Sequence, residues 1–322
     1  METLFISKDA RLARRENTLI ISINGNRRFF PIEKVRHIIL LGETKLNSKL
    51  LCLCGSNAVR LSIFDYYGYF KGSFEPKPQN PSGRVIGEQA RSVLDDDLRM
   101  SIAKEFVIGA WHNMKANLAY YQYRGYSNIT PLIVEMNKIA AKIDSAKSNA
   151  ILMGIEGMLH TQYYAAWKEI DRRLDFGVRT RRPPNNPINC LISFLNQMTY
   201  TVVRHETFKT HLEETLAFLH APGTGRASLS LDLSEPFKPI LSDTLIFRLI
   251  RKNILTENWF DQKEGVCLLT ETGRRHVAEH FSIKLEEYYQ GKSYREWIYR
   301  EAIAIERHVM GVAKYSSFKR KV

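Results

Sequence analysis

From Leu4 to about Phe74 apolar residues alternate with polar ones or run in short blocks, the period of two that belongs to strands. This pattern predicts strands over residues 3–7, 18–23, 28–31, 37–41 and 60–65. Asn24 and Gly25 between two of them suit a hairpin turn, because both accept positive φ. Residues 46–54 break the alternation and predict a short helix. Pro76, Pro78, Pro81 and Gly83 then punctuate a polar stretch that reads as a linker. Beyond Gly87 the period becomes helical. Residues 88–123 and roughly 132–171 carry few breakers, and Asn186 before Pro187 predicts a capped helix continuing to Phe218. Ser293 and Glu296 form a capping box for a last long helix ending at Gly311. The fold class is therefore α+β: a small β-sandwich-like domain (residues 1–75), a linker (76–87) and a larger all-α domain (88–322).

Polar residues on apolar faces are the exceptions to this pattern. Gly154 and Gly157 flank Glu156 inside a helical stretch, and each costs a helix about 1 kcal/mol relative to alanine. Close approach of another backbone, or of a ligand, would explain them. Leu152, Leu159 and Tyr163 define a stripe that contains Glu156. A carboxylate facing a core needs a salt bridge or a metal ion. Further along, His220 precedes Asp232 and Glu235, which on a helix would share a face with Cβ atoms roughly 5 to 6 Å apart. Leu229, Leu231, Leu233 and Phe237 crowd both acids. Water, a raised pKa on one acid, or a cation between them would relieve the repulsion.

Charge narrows the partners. The chain holds 47 Lys and Arg against 34 Asp and Glu, a formal net charge of +13. Nucleic acid, an anionic membrane face and an acidic protein all satisfy that excess. No apolar run approaches the roughly 18 residues a membrane span needs, and the first residues lack a basic start followed by an apolar core, so a cytoplasmic protein is expected. Cys52, Cys54, Cys190 and Cys267 form no CxxC pair and sit among apolar neighbours, which predicts buried, reduced thiols. Arg179, Arg181 and Arg182 precede a stiff Pro183–Pro184 pair. Together with Lys238, Arg248, Arg251 and Lys252 they are candidates for phosphate contacts, a solvated basic surface being the alternative.

Three segments carry a resemblance: Gly154 to Gly157 (GIEG), Leu219–His220, and the run from Ser228 to Pro239 (SLSLDLSEPFKP). They resemble the signatures of the CRISPR-associated integrase and endonuclease of the spacer-acquisition module. The resemblance implies a helical catalytic domain with Glu156, His220 and Glu235 as ligands of Mg²⁺ or Mn²⁺ and Asp232 beside them. It also implies a metal-dependent DNA endonuclease and integrase that acts on double-stranded and branched DNA. Captured fragments would be inserted as new spacers into a CRISPR array by 3′-hydroxyl transesterification, which needs no nucleotide energy source. The implied partners are a second copy of the chain, paired through the N-terminal domain, and the small second protein of the module. Lys238 stands where many relatives carry arginine, and Asn186 where the family usually has aspartate. Without the resemblance, a non-catalytic nucleic-acid-binding scaffold and a helical protein binding an acidic partner stay open.

Overall fold

The computed structural model describes residues 2–65, 67–77, 81–221 and 227–321. The N-terminal alternation becomes strands β1 (Glu2–Ile6), β2 (Ala10–Arg15), β3 (Thr18–Ile23), β4 (Asn26–Pro31), β5 (Val35–Leu40), β6 (Thr44–Lys45), β7 (Arg60–Phe64) and β8 (Phe70–Phe74), with helix α1 (Ser48–Ser56) before β7. One sheet runs β1-β5-β7-β8, parallel except for β8; the other runs β4-β3-β2-β6, antiparallel except for β6. Leu4, Ile38 and Leu40 of the first, Leu12, Leu19 and Ile21 of the second, and Leu50 and Leu53 of α1 form one apolar cluster. The β-sandwich-like expectation holds. Asn24 and Gly25 take φ of +49° and +82° and connect β3 to β4 with Ile23 opposite Asn26, a two-residue hairpin. Strand β2 escaped the pattern because Arg11, Arg14 and Arg15 mask a short alternation in which only Ala10 and Leu12 are buried.

The rest of the chain forms helices α2 (Gly83–Leu94), α3 (Asp96–Tyr123), α4 (Thr130–Ala140), α5 (Asn149–Ala165), α6 (Trp167–Ile170), α7 (Pro187–Thr207), α8 (Ser228–Ser234), α9 (Thr244–Arg251), α10 (Glu271–Leu285) and α11 (Tyr294–Val309). It is not all helical. Hairpins β9 (Phe260–Lys263) to β10 (Val266–Leu269) and β11 (Tyr288–Tyr289) to β12 (Lys292–Ser293) turn at Glu264–Gly265 and Gln290–Gly291, all four residues at positive φ. The stretch 88–123 breaks at Asp95, whose extended backbone ends α2 while its side chain accepts from Leu98 N (2.9 Å) to cap α3. The stretch 132–171 breaks over 141–148, and Ser148 caps α5. Asn186 accepts from Asn189 N (2.9 Å) at the start of α7, which ends at Thr207 rather than Phe218. Ser82 caps α2, so the linker is shorter than 76–87; residues 78–80 lie outside the described ones.

By Cα proximity the chain divides into two units, residues 1–80, 179–201 and 255–284 in one, and 81–178, 202–254 and 285–322 in the other. The first thus takes in segments that sequence periodicity assigned to the helical region. Cys190 and Cys267 belong to it, buried and unoxidised as expected, whereas Cys52 is exposed. No described helix is long and apolar enough to cross a membrane.

Helix α3, 28 residues long, organises the second unit. Its buried positions, from Ile102 to Tyr121, cover a broad arc that takes in about half of the helix surface and includes Asn113 and Asn117. Asn113 Nδ2 donates to the Pro236 and Phe318 carbonyls (2.9 and 3.0 Å), and Asn117 Nδ2 donates to the Pro239 carbonyl (2.8 Å) and to Tyr163 Oη (2.9 Å). One turn earlier, a Cβ on Gly109 would meet Ser317 Oγ at 2.2 Å and Pro236 Cγ at 3.3 Å. The chain near Ser317 is itself tied down by Glu301, which accepts from Tyr315 Oη, Ser317 Oγ and Phe318 N (2.7 to 2.9 Å). Gly109→Ala should therefore overpack this crossing and destabilise the protein by about 1–3 kcal/mol. A lowered urea midpoint is expected; an unchanged one would mean that the contact yields freely.

A candidate metal centre

Two segments of the second unit bring the acids together. Glu156 lies on α5, and Glu235 follows α8 by one residue, where its N–H bonds to the Asp232 carbonyl (3.2 Å) and Pro236 prevents regular continuation. His160, four residues after Glu156 and so on the same face of α5, stands between the two. Its Nε2 is 3.0 Å from Glu156 Oε1 and 3.9 Å from Glu235 Oε2. Among the described residues, Glu156, His160 and Glu235 are the set whose candidate ligand atoms all lie within 4.8 Å of one another. Neither ring nitrogen of His160, nor Glu235 Oε2, makes a well-aligned hydrogen bond, although each is buried. The other oxygen of Glu235 accepts from Lys238 Nζ at 2.5 Å.

The charges fit this crowding. Burial pulls the His160 pKa down, but the Glu156 and Glu235 carboxylates more than reverse it and raise it to about 10. Burial pushes Glu235 up, yet the Lys238 and His160 cations hold it well below the usual carboxylate range. Glu235 is thus kept ionised by the positive groups beside it.

Asp232 does a different job. Fully buried, it accepts through Oδ2 from Phe218 N (2.8 Å) and Leu219 N (2.9 Å), and through Oδ1 from His220 N (3.0 Å) and His220 Nδ1 (2.7 Å). The carbonyls of the same short segment accept from α5 and α3: Asn149 Nδ2 reaches Phe218 and Leu219 (2.5 and 3.0 Å), and Arg99 Nε reaches Phe218 (2.8 Å). With Nδ1 donating to a carboxylate, the imidazole of His220 keeps Nε2 for a ligand. Burial lowers the His220 pKa, the Asp232 carboxylate and, behind it, Glu235 raise it, and the net shift is upward.

Of the residues singled out in the sequence, the structure brings Glu156 and Glu235 together and bonds Asp232 to His220. The imidazole within 4.8 Å of both acids is that of His160, and His220, bonded to Asp232, is not in that set. An i,i+4 Glu and His pair on one helix was the available signal. Among the described residues, a Cβ at Gly154 or Gly157 would meet nothing within 4 Å, so no described backbone packs against either glycine. Residues 222–226 of the loop after His220 lie outside the described ones.

The basic candidates divide sharply. Lys238 is committed to Glu235, and Arg179 to Asn189 Oδ1 (3.1 Å) and Ser193 Oγ (3.0 Å). Arg248 pairs with Glu287 (2.9 Å), and Arg251 bonds Tyr126 Oη (2.7 Å). Arg181, Arg182 and Lys252 are exposed, Arg182 over the ring of Tyr69. Exposure cannot be read from composition.

The family profile described as CRISPR associated protein Cas1 matches residues 4–282. A curated relative from Moorella thermoacetica, named CRISPR-associated endonuclease Cas1 2, is 37% identical over 325 residues and covers 99% of each chain. Among solved structures, a CAS1 protein from Thermotoga maritima superposes with a TM-score of 0.90 at 30% identity, covering 99% of this chain and 100% of that one. A casposase bound to integration product shares the fold, with a TM-score of 0.85 at 21% identity over 98% of this chain and 93% of that one.

Two outcomes follow from the geometry. The raised His160 pKa lies above its ordinary value, so the stabilisation it provides is complete below about 6.5 and lost as pH rises through about 10. Urea midpoints across that window should fall more steeply for the wild type than for His160→Gln; parallel profiles would contradict the raised value. Gly154→Ala and Gly157→Ala should each stabilise α5 by up to about 1 kcal/mol, raising the midpoint instead of lowering it as a close backbone contact would require.

Proposed function

We propose that this chain, which belongs to the CRISPR-associated Cas1 family, is a metal-dependent DNA endonuclease and integrase that inserts captured foreign DNA as new spacers into a CRISPR array. The observation that carries the reading is the convergence of Glu156 and Glu235, from separate segments, on a point where buried donor atoms have no hydrogen-bonded partner. Two carboxylate oxygens and an imidazole nitrogen suit Mn²⁺ well and Mg²⁺ acceptably, and no thiolate is among them. The residues fit such an ion.

Glu156 and Glu235 would hold it with one imidazole. The resemblance assigns that part to His220, and a physical argument supports it: a ligating histidine donates its other nitrogen to a carboxylate or carbonyl, as His220 does to Asp232 and His160 does not. His160 and Lys238 then serve as the positive groups that keep Glu235 ionised. A bound divalent ion would polarise a phosphodiester and lower the pKa of the attacking group. Attack by water gives endonuclease cleavage; attack by a DNA 3′-hydroxyl makes one phosphodiester as another breaks, the displaced 3′-oxygen leaving with a proton. The family resemblance further supports duplex and branched DNA as substrates, a homodimer built through the N-terminal strands, and the small second protein of the adaptation module as partner.

The test is a Mn²⁺ and Mg²⁺ titration of cleavage and strand transfer on branched DNA. Glu156→Gln and Glu235→Gln should lose roughly a thousandfold or more in rate, the equivalent of several kcal/mol of transition-state stabilisation, while still binding DNA. Asp232→Asn should cost about 10–100-fold in metal affinity, and His220→Gln should lose more activity than His160→Gln. Full activity in EDTA, or in Glu156→Gln, would leave only a DNA-binding scaffold.

A further inference from the structure

Glu156 and Glu235 come from distant parts of the chain, so the gap between them is set by whatever ties α5 to the segment 218–243. Two such ties flank Glu156 on its own helix. Asn149 lies seven residues before it and Tyr163 seven after, two turns either way and about 10 Å along the axis. Seven residues come close to a whole number of turns, so the three side chains share one face of α5.

The upstream tie is Asn149, whose Nδ2 donates to the Phe218 and Leu219 carbonyls (2.5 and 3.0 Å), the same two residues whose N–H groups Asp232 holds. The downstream tie is Tyr163. Its fully buried hydroxyl accepts from Asn117 Nδ2 (2.9 Å) and hydrogen-bonds the carboxylate of Asp243, which is buried as well. Asn117 Nδ2 also donates to the Pro239 carbonyl (2.8 Å), so this one hydroxyl is linked to both ends of the π-helical turn Pro239–Asp243, which begins four residues after Glu235. Burial and, behind it, the Asp243 carboxylate push the Tyr163 pKa well above its ordinary value. The hydroxyl therefore keeps its proton and donates at any working pH.

We infer that Tyr163 is a positioning residue for the acid cluster, acting with Asn149 as a pair of anchors that fixes how far Glu156 stands from Glu235. Packing alone asks only that a buried hydroxyl find partners, and any face of the helix would serve. Here both anchors occupy the face that carries Glu156, and both grip the segment that carries Glu235, one on each side of it. A divalent ion accepts ligand distances within only about 0.2 Å. A small release of either anchor should therefore register in metal affinity before it registers in the fold. The inference rests on the reading of the acid cluster as a metal site and adds the residues that hold its two acids in register.

Calorimetric titration of the full-length protein with Mn²⁺ alone, beside urea unfolding of the same samples, tests it. Tyr163→Phe removes one oxygen and keeps the ring, and should weaken Mn²⁺ binding by roughly tenfold or more, as loss of a group that orients a ligand does. Asn149→Ala, at a half-buried site, should do the same from the other end of the helix, and it carries the test should Tyr163→Phe fail to fold. Tyr315→Phe is the matched control, because Tyr315 Oη also bonds a buried carboxylate, that of Glu301 on α11 (2.7 Å). It should lower the urea midpoint comparably and leave Mn²⁺ affinity unchanged. Equal losses of Mn²⁺ affinity in Tyr163→Phe and Tyr315→Phe, or a lowered urea midpoint in Tyr163→Phe with Mn²⁺ affinity intact, would overturn the positioning role. Glu156→Gln separates the two ideas. If it binds Mn²⁺ like the wild type, the metal site is wrong and the anchors fall with it; if it loses Mn²⁺ while Tyr163→Phe and Asn149→Ala keep it, the anchors alone are wrong.

Discussion

A single buried carboxylate sets the geometry on which the candidate site depends. Asp232 has no exposed surface and accepts from three consecutive backbone N–H groups and one imidazole. An ionised carboxylate taken out of water costs several kcal/mol unless such donors surround it, and conversely the donors need it: residues 218–220 form no regular element that would satisfy their N–H groups. Each side therefore requires the other. Helix α8, seven residues long and without a side-chain cap, is too short to persist alone and holds its place through this exchange. Because Glu235 follows Asp232 by three residues, fixing the one aims the other. The Asn149 and Arg99 bonds to the carbonyls of the same segment add α5 and α3 to the arrangement.

The acids that converge there would repel one another if left alone. His160 and Lys238 change that balance, and their positions are not symmetrical. Lys238 holds one oxygen of Glu235 and leaves the other turned inward without a bond. His160 approaches both acids with one nitrogen while neither of its own nitrogens is properly bonded. An arrangement built only for stability would satisfy these atoms, since buried polar groups are nearly always paired. Unsatisfied donors and acceptors collected around one point are better explained by a group that binds there.

How far the sequence alone reaches depends on whether a residue acts through its neighbours in the chain or through distant ones. Five of the N-terminal strands, the Asn24–Gly25 hairpin, the Asn186 cap and the Ser293 box were legible because each rests on local preferences. Glu156 and Glu235 were legible because carboxylates interrupt apolar stripes, and Asp232 because it lies near His220. The breaks at Asp95 and over 141–148 were not, since a lone aspartate or serine looks like any polar helix position until its cap bond forms. The β9–β10 hairpin, only four residues per strand, is too short to register a period. Lys238 and Arg179 show the same limit from another side. Their charge suggested phosphate, but Glu235 and Asn189 claim them, and those pairings exist only after the chain has folded.

Helix α3 joins these observations. Its polar residues face inward, at Asn113 and Asn117, opposite a segment opened by Pro236 and closed by Pro239. Proline has no N–H and cannot continue a helical ladder, and the chain here is held from outside as well, the Pro236 carbonyl and, beside the Thr244 N–H, the Pro239 carbonyl taking side-chain donors. The two asparagines supply them, one helical turn apart. Gly109 lies a turn before, where any side chain would collide with Ser317 and crowd Pro236. What holds Glu235 from behind is thus the interior of α3, while the outer face of the same helix, from Ala116 to Arg124, lines a basic groove shared with α9. Asn117 takes part in both. A change that shifted α3 along its axis would disturb the acid cluster and the groove together, whereas exposed substitutions at Tyr120 or Tyr123 leave the inner asparagine contacts intact.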